Sequence, residues 1–222
     1  MHGDSFRLRF FLFFEDYASS LIRFVQTRPD LPKLTSHRGR LVMSKQLRIH
    51  NMHERHRALT PAIADSYEEA AAVCLSDSHT PPVDIVLHDN GTASEARLTW
   101  TLPDSRVMGA WANTTDATED GAYGCVIAGI ELLRSLFAVR RAETGTGADY
   151  YIGPAGSGIE DLENCSRLEV SGVRLGDFKE VSRRLLEKLE QARRGNSNLP
   201  ALAGVMGFSA KVLLVRDIVE GE

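Results

Sequence analysis

The sequence predicts an α/β protein with a single mixed sheet and flanking helices. Apolar residues recur at helical spacing in several segments, and shorter segments alternate between apolar and polar residues as strands do. The dipeptide Asn90-Gly91 lies between two such strand-like segments and is typical of a tight hairpin turn. At 222 residues, 43 % hydrophobic and 25 % charged, the chain has the composition of a folded domain with one core.

The first 42 residues differ in composition from the remainder of the chain. They contain seven Lys or Arg and four Asp or Glu, a net charge of +3, whereas the remainder carries 19 basic and 26 acidic residues, a net charge of −7. We predict that residues 1–42 form a poorly structured extension and that residues 43–222 form a single globular α/β domain. Two explanations of the extension stay open: Met43 is the true start of the protein, or residues 1–42 are a basic, aromatic docking arm.

The N-terminal half of this domain is predicted to contain a helix, a hairpin and a short second helix. Thr60 is a suitable N-cap, and Pro61 suits the first position of the helix that follows. Residues 81–100 have the pattern of two strands joined at the hairpin turn described above. A short helix is expected over residues 104–113.

The C-terminal half is predicted to follow the order helix, strand, strand, helix, strand. A long helix, apolar over most of its surface, is expected from about Asp116 to Glu143. Strands are then expected in residues 148–153 and 167–173, and the second of these alternates apolar and polar residues as a half-buried strand does. The amphipathic helix 177–194 and a final strand-like segment complete the domain.

Several classes of protein are disfavoured by the composition. The three cysteines are widely separated and odd in number, which argues against a disulfide framework or a structural zinc site and suggests a reducing, cytoplasmic location. The apolar run Phe10–Phe14 is too short to cross a membrane, so no membrane partner is expected. The segment 153–160 lacks the residues of a phosphate-binding loop, and His50, His53 and His56 are interpreted as a solvated stretch rather than a metal site.

Three carboxylates suggest a site for a divalent cation. Asp149 and Glu169 belong to neighbouring predicted strands, which would bring both side chains to a distance that one ion could span. Oxygen ligands of this kind suit Mg²⁺ or Mn²⁺. Glu131 lies on the face of the long helix that carries small residues, where a carboxylate needs a cation or a hydrogen-bonding partner, and Arg134 is the alternative partner.

The order of these elements and acids resembles the core of the PD-(D/E)xK nuclease superfamily over about residues 117–219. The resemblance implies a nuclease-like protein that hydrolyses phosphodiesters with Mg²⁺ or Mn²⁺, bound by the three carboxylates named above. It assigns catalytic roles to Glu169, Lys188 and Gln191. The partner would be nucleic acid, bound through basic residues of the last helix, which are Arg183, Arg184, Arg193 and Arg194.

One departure from the superfamily pattern concerns the lysine of its ExK motif. Ser171 stands at that position. Lys188 is the first candidate substitute because it lies on the following helix, and Arg167, on the same strand face as Glu169, is the second. If neither side chain reached the site, the chain would be a degraded, non-catalytic relative.

A second function class stays open, a non-enzymatic binding or assembly module that uses the same sheet and basic helix as an interaction surface. In that case the acids are surface residues on exposed strand faces, as is common in a sheet with one solvated face. The two hypotheses differ in geometry. Convergence of Glu131, Asp149 and Glu169 in a pocket with a nearby Lys or Arg favours the nuclease, and dispersal over the surface favours the binding module.

Overall fold

The structure, a computed structural model, describes residues 44–195 and 197–218. The predictions for residues 1–42 therefore concern a segment outside the described residues. Within the described part, a single mixed sheet of eight strands is accompanied by four α-helices, which confirms the predicted fold class. None of the helices described combines the length and the apolar character needed to cross a membrane.

The elements fall into an N-terminal and a C-terminal set. The helices are α1 (Pro61–Ser76), α2 (Ser105–Ala110), α3 (Thr114–Arg134) and α4 (Phe178–Arg193), with a short 3₁₀ helix at Met52–Glu54. The strands are β1 (Lys45–Leu47), β2 (Val83–Asp89), β3 (Thr92–Leu98), β4 (Phe137–Arg141), β5 (Tyr150–Gly153), β6 (Ser166–Val173), β7 (Ala201–Gly207) and β8 (Val212–Asp217). In the sheet they lie in the order β1-β3-β2-β8-β7-β6-β5-β4. The pairs β1/β3, β2/β8 and β6/β7 are parallel, and the other four pairs are antiparallel.

Local sequence features account for the N-terminal elements. The hydroxyl of Thr60 accepts a hydrogen bond from a backbone N–H in the first turn of α1, and Pro61 occupies the first helical position. Asn90 and Gly91 both have positive φ, 48° and 86°, which is the conformation that a two-residue turn between β2 and β3 requires. Helix α2 lies within the predicted segment 104–113.

The predicted long helix is wrong at its C-terminal end. Helix α3 ends at Arg134 rather than near Glu143, and Ser135, with a φ of 54°, starts the turn into β4. The apolar sequence continues through this turn, and a buried strand and a buried helix have the same composition over so short a stretch. Three strands therefore lie between α3 and α4, and the last predicted strand is in fact the antiparallel pair β7 and β8.

Helices α3 and α4 cover opposite faces of the strands in the middle of the sheet. Along β7, Leu202 and Met206 belong to the apolar cluster that includes α3, whereas Ala203 and Val205 belong to the cluster that includes α4. Strand β6 is covered in the same way, and its residues 167–170 are all buried. The prediction of a half-buried strand is therefore wrong for Arg167 and Glu169, which are buried although the alternation predicts them on a solvated face.

The close approach of α3 to the sheet depends on glycine. A Cβ atom added at Gly204 of β7 would lie 2.3 Å from Cγ1 of Val126, and one added at Gly172 of β6 would lie 2.6 Å from the carbonyl oxygen of Thr118. Larger residues would force the helix away from these strands. The first half of α3 is thus held directly beside the end of β6.

Candidate functional site

An open groove of about 1330 Å³ lies where β4 ends, β5 begins and the second half of β6 passes between α3 and α4. Side chains of both charges line it. Of the site residues predicted from sequence, Glu131 and Arg193 do not line the groove, and the other seven do. The lining side chains that bear on its chemistry are Glu119, Tyr123, Arg141, Asp149, Glu169, Ser171, Lys188 and Gln191.

Asp149 is held just before β5 by two hydrogen bonds. Its Oδ1 accepts one from the Tyr123 hydroxyl at 2.7 Å, and its Oδ2 accepts one from the backbone N–H of Val170 at 2.8 Å. Tyr123 belongs to α3 and Val170 to β6, so two walls of the groove fix the carboxylate between them. The side chain is 20 % exposed, which leaves it accessible to a small ligand.

Glu169 lies at the centre of β6 and is 3 % exposed. Its Oε1 accepts a hydrogen bond from Lys188 Nζ at 2.7 Å, and the same ammonium group donates to Gln191 Oε1 at 3.1 Å. Burial raises the pKa of the Glu169 carboxyl, the charge of Asp149 raises it further, and the hydrogen bond from Lys188 opposes the increase. The acid is therefore in direct contact with one cation and in the electrostatic field of a second acid.

Glu119 is an acid of the groove that the sequence pattern does not distinguish. It lies one turn before Tyr123 on α3, and its Oε1 is 3.2 Å from the Tyr123 hydroxyl. The position of Glu119 in the first half of the helix is the signal that could have identified it. The part of α3 that lies beside the ends of β5 and β6 is its first half, which carries Glu119, whereas Glu131 lies in its last turn.

Glu131 is positioned outside the groove. Its carboxylate accepts hydrogen bonds from Arg48 at 2.7 Å and Arg55 at 2.9 Å, and it lies 3.0 Å from Nε2 of His56. These partners supply the compensation that a partly buried carboxylate needs. The expectation of a third metal ligand at this position is therefore corrected. Arg134, the alternative partner suggested by helical spacing, pairs instead with carboxylates of β2 and β8.

Arg167, the second candidate for the missing lysine, has a structural role. It is buried and donates hydrogen bonds, at 2.8, 3.2 and 3.2 Å, to the carbonyl oxygens of Thr146, Ala192 and Leu199. These bonds join β6 to the segments on either side of it. Ser171 lines the groove without a charge, and Lys188 is the cation that contacts Glu169.

The four arginines predicted to bind nucleic acid are paired with glutamates of their own helix. The pairs are Arg183 with Glu180 and Glu187, Arg184 with Glu187, and both Arg193 and Arg194 with Glu190. All except Arg193 line the groove. Such exposed ion pairs contribute little to stability, so a polyanion could replace the glutamates as partners at low cost.

Arg141 is the other groove residue that has no place in the sequence-based site. Its guanidinium donates to the hydroxyls of Tyr67 and Tyr123, both at 3.0 Å. It also lies over the rings of Tyr123 and Tyr150, at 4.4 and 4.7 Å from their centroids. The sequence predicts this residue inside the long helix, which hides its true position at the end of β4.

The three-carboxylate metal centre predicted from the sequence is not assembled. Within residues 44–195 and 197–218, no group of three or more His, Cys, Asp or Glu side chains is arranged to hold a metal ion. Two carboxylates, Asp149 and Glu169, are close enough for the charge of one to affect the other. Mg²⁺ commonly binds proteins through one or two carboxylates and completes its shell with water and phosphate oxygens.

Comparisons with protein-family models, with curated proteins and with solved structures give no match to this chain. The class of site is therefore defined by the groove itself. It contains two carboxylates, a lysine that contacts one of them, and several arginines.

Proposed function

We propose that the groove binds a phosphodiester backbone and cleaves it with the help of Mg²⁺ or Mn²⁺, as nucleases of the PD-(D/E)xK superfamily do. One observation carries the proposal. Asp149 and Glu169 line the same groove, and Lys188 contacts Glu169 at 2.7 Å. A pair of acids beside a cationic side chain is a set of groups suited to metal-assisted hydrolysis of a phosphodiester.

Each of these side chains has a role in the proposal. Asp149 and Glu169 are the ligands of the cation. When bound, the divalent ion supplies a polarised phosphoryl oxygen and a water of lowered pKa. Lys188 stabilises negative charge that develops on the phosphoryl group, and Gln191 holds its ammonium group in place. Burial of Glu169 favours a cation, because neighbouring carboxylates in a confined site need a positive charge to stay ionised.

The element order supports the same proposal. Helix α3, three strands, helix α4 and β7 follow one another, and Asp149, Glu169 and Lys188 line one groove within this unit. The sequence resemblance to the superfamily concerns the same part of the chain. Glu119 takes the place that the sequence suggests for Glu131, since it is the acid of α3 that lines the groove.

A cleavage assay tests the proposal. Labelled DNA and RNA, each single- and double-stranded, are incubated with the protein in Mg²⁺, Mn²⁺ or EDTA. We expect metal-dependent cleavage that falls about 100-fold in Asp149→Asn, Glu169→Gln and Lys188→Ala. Asp84→Asn is the matched control, because this aspartate is 65 % exposed on β2 and does not line the groove. A wild-type protein that cleaves none of these substrates with either metal contradicts the proposal.

Binding of a polyanion without cleavage is a second candidate, and the ExK position favours it. Ser171 stands there, and Lys188 is already paired with Glu169 at 2.7 Å. A protein of this kind would bind nucleic acid equally well in Mg²⁺ and in EDTA and would leave it intact. Lys188→Ala would then weaken binding, whereas Asp149→Asn would strengthen it or leave it unchanged.

A further inference from the structure

We propose that Arg141 is a phosphate-binding residue of the groove and takes one phosphate of a nucleic acid backbone beside Asp149. The inference rests on the proposed binding of a phosphodiester in the groove, and it names the residue that would recognise the backbone. Arg141 lines the groove at the end of β4, and its side chain is 48 % exposed.

Aromatic side chains hold the guanidinium in one orientation. Tyr67 and Tyr123 accept its N–H groups, and the rings of Tyr123 and Tyr150 lie beside its plane. These tyrosines are fixed in turn. The Tyr67 hydroxyl is 2.7 Å from that of Tyr150, and the Tyr123 hydroxyl donates to Asp149 at 2.7 Å. A guanidinium oriented before the ligand arrives loses less conformational freedom on binding.

The charge of Arg141 is less compensated than that of other cations in the groove. Its ion pair is with Asp149, and their closest N and O atoms are 3.9 Å apart, which is too far for a hydrogen bond. Lys188 and Arg183 approach carboxylate oxygens to 2.7 and 3.0 Å. A guanidinium has five N–H donors, and the two bonds to tyrosines leave others for the fork-shaped contact that phosphate oxygens accept.

The position of Arg141 links phosphate binding to the proposed cation site. Tyr123 connects the two, because its hydroxyl accepts a hydrogen bond from Arg141 and donates one to Asp149. A phosphate on Arg141 would therefore adjoin the carboxylate that is proposed to bind the metal. The inferred ligand is one phosphate of a polymer, and free inorganic phosphate is the competing source of the same chemistry.

Salt-dependent binding measurements test the inference. Labelled DNA and RNA are titrated with protein in EDTA, which prevents metal-dependent cleavage, over a series of KCl concentrations. We expect Arg141→Gln to weaken binding about tenfold and to reduce the slope of log Kobs against log[KCl] by about 1. Arg97→Gln is the control, because this arginine of β3 is similarly exposed, at 45 %, and does not line the groove. It should keep the wild-type affinity and slope.

A second variant separates recognition from loss of folding. Arg141→Lys keeps the charge and loses the fork, so we expect weaker binding at an unchanged salt slope. Thermal midpoints of both variants are measured alongside, and if Arg141→Gln does not fold, the lysine variant decides. Wild-type affinity in the folded variants overturns the inference, as does a wild-type protein that binds neither nucleic acid. Competition by inorganic phosphate as effective as that by oligonucleotide, per phosphate, would overturn the polymeric ligand.

Together with the cleavage assay, these binding data distinguish this inference from the proposed nuclease activity. If the protein needs Arg141 for binding but cleaves no substrate, the phosphate site is supported and the proposed nuclease activity is contradicted. If the protein cleaves with Mg²⁺ but its Arg141→Gln variant binds like the wild type, the nuclease activity is supported and the phosphate site is contradicted.

Discussion

Among the acidic residues that the structure describes, Glu169 is the buried one, and the raised pKa of its carboxyl reflects burial first and then the charge of Asp149. A divalent cation would relieve this repulsion and would bind the folded protein in preference to the unfolded chain. Lys188, which contacts Glu169, offsets only part of this unfavourable environment, since the pKa of the Glu169 carboxyl stays raised.

Metal titration should therefore change thermal stability. We expect Mg²⁺ or Mn²⁺ to stabilise the wild type by about 2.7 kcal/mol at a hundredfold excess over Kd, and Asp149→Asn to show a smaller increase in thermal midpoint. Glu131→Gln is the informative control, because this carboxylate binds arginines and lies outside the groove. It should keep the wild-type metal response even though it is less stable. A loss of the response in this variant would return Glu131 to the cation site.

His56 is fully buried, so the expectation of a solvated stretch is wrong for this histidine, and the fold favours its neutral form. Its Nδ1 accepts a hydrogen bond from the N–H of Ala138 at 3.1 Å, and its Nε2 faces Glu131 at 3.0 Å. Burial lowers its pKa from 6.5 to about 4, and the nearby carboxylate opposes the decrease only in part.

Acid should destabilise the protein through this histidine. The unfolded chain binds a proton on His56 near pH 6.5 and the folded chain only near pH 4, so stability is present above 6.5 and is lost as the pH falls. We expect a loss of about 3 kcal/mol by pH 4 from this residue. Urea unfolding at neutral pH and at successively lower pH measures it. His56→Gln should lack this component, and an identical pH dependence in both proteins would show that His56 does not cause it.

At the scale of elements, α3 forms one wall of the groove and lies close against the sheet. The close approach depends on Gly204, where an added Cβ would lie 2.3 Å from Cγ1 of Val126. Tyr123, which orients Asp149, lies one turn earlier on the same helix.

Gly204→Ala should therefore destabilise the protein. The added Cβ would lie 2.3 Å from Val126, a stiff β-branched side chain, and we expect a loss of about 2 kcal/mol in the free energy of unfolding. Gly109→Ala on α2 is the matched control, because an added Cβ there meets nothing within 4 Å, and it should stabilise by up to about 1 kcal/mol. Chemical denaturation compares the two. Equal effects would mean that α3 can move away from β7 without cost.

The elements that were predictable from sequence carry their own boundary residues. Thr60 and Pro61 mark the start of α1, and Asn90-Gly91 marks the hairpin, in each case through backbone preferences that act locally. The end of α3 has no such residue, because nothing in the local sequence indicates that Ser135 adopts a positive φ. For that reason the sequence predicts a helix where β4 lies, and it places Arg141 in that helix.

The candidate site was predictable where it depends on neighbouring strands and not where it depends on tertiary packing. Asp149 and Glu169 could be selected because β5 and β6 are successive strands that pair. With the helix extended towards residue 143, Glu131 falls near its middle, whereas in the structure it lies in the last turn. The tyrosines around Arg141 come from α1, α3 and β5, and no local pattern brings them together.

At the scale of the whole molecule, the sheet is continuous because of β8. On one side β8 pairs with β2, which leads to β3 and β1; on the other it pairs with β7, which leads to the strands of the groove. The first of these pairings joins Val86 to Val212, residues that lie 126 positions apart in the sequence. Contacts at such sequence separation form late in folding.

A chain that is still being synthesised has therefore made the β2–β3 hairpin long before β8 exists. Until then one edge of β2 presents unpaired N–H and C=O groups, which are able to pair with another nascent chain. The same dependence makes the strands of the groove separable in principle from β1, β2 and β3, whose attachment to them in the sheet is through β8. We therefore expect nascent chains to be prone to aggregation until β8 has been synthesised, and chaperones that shield a growing chain to suppress that aggregation.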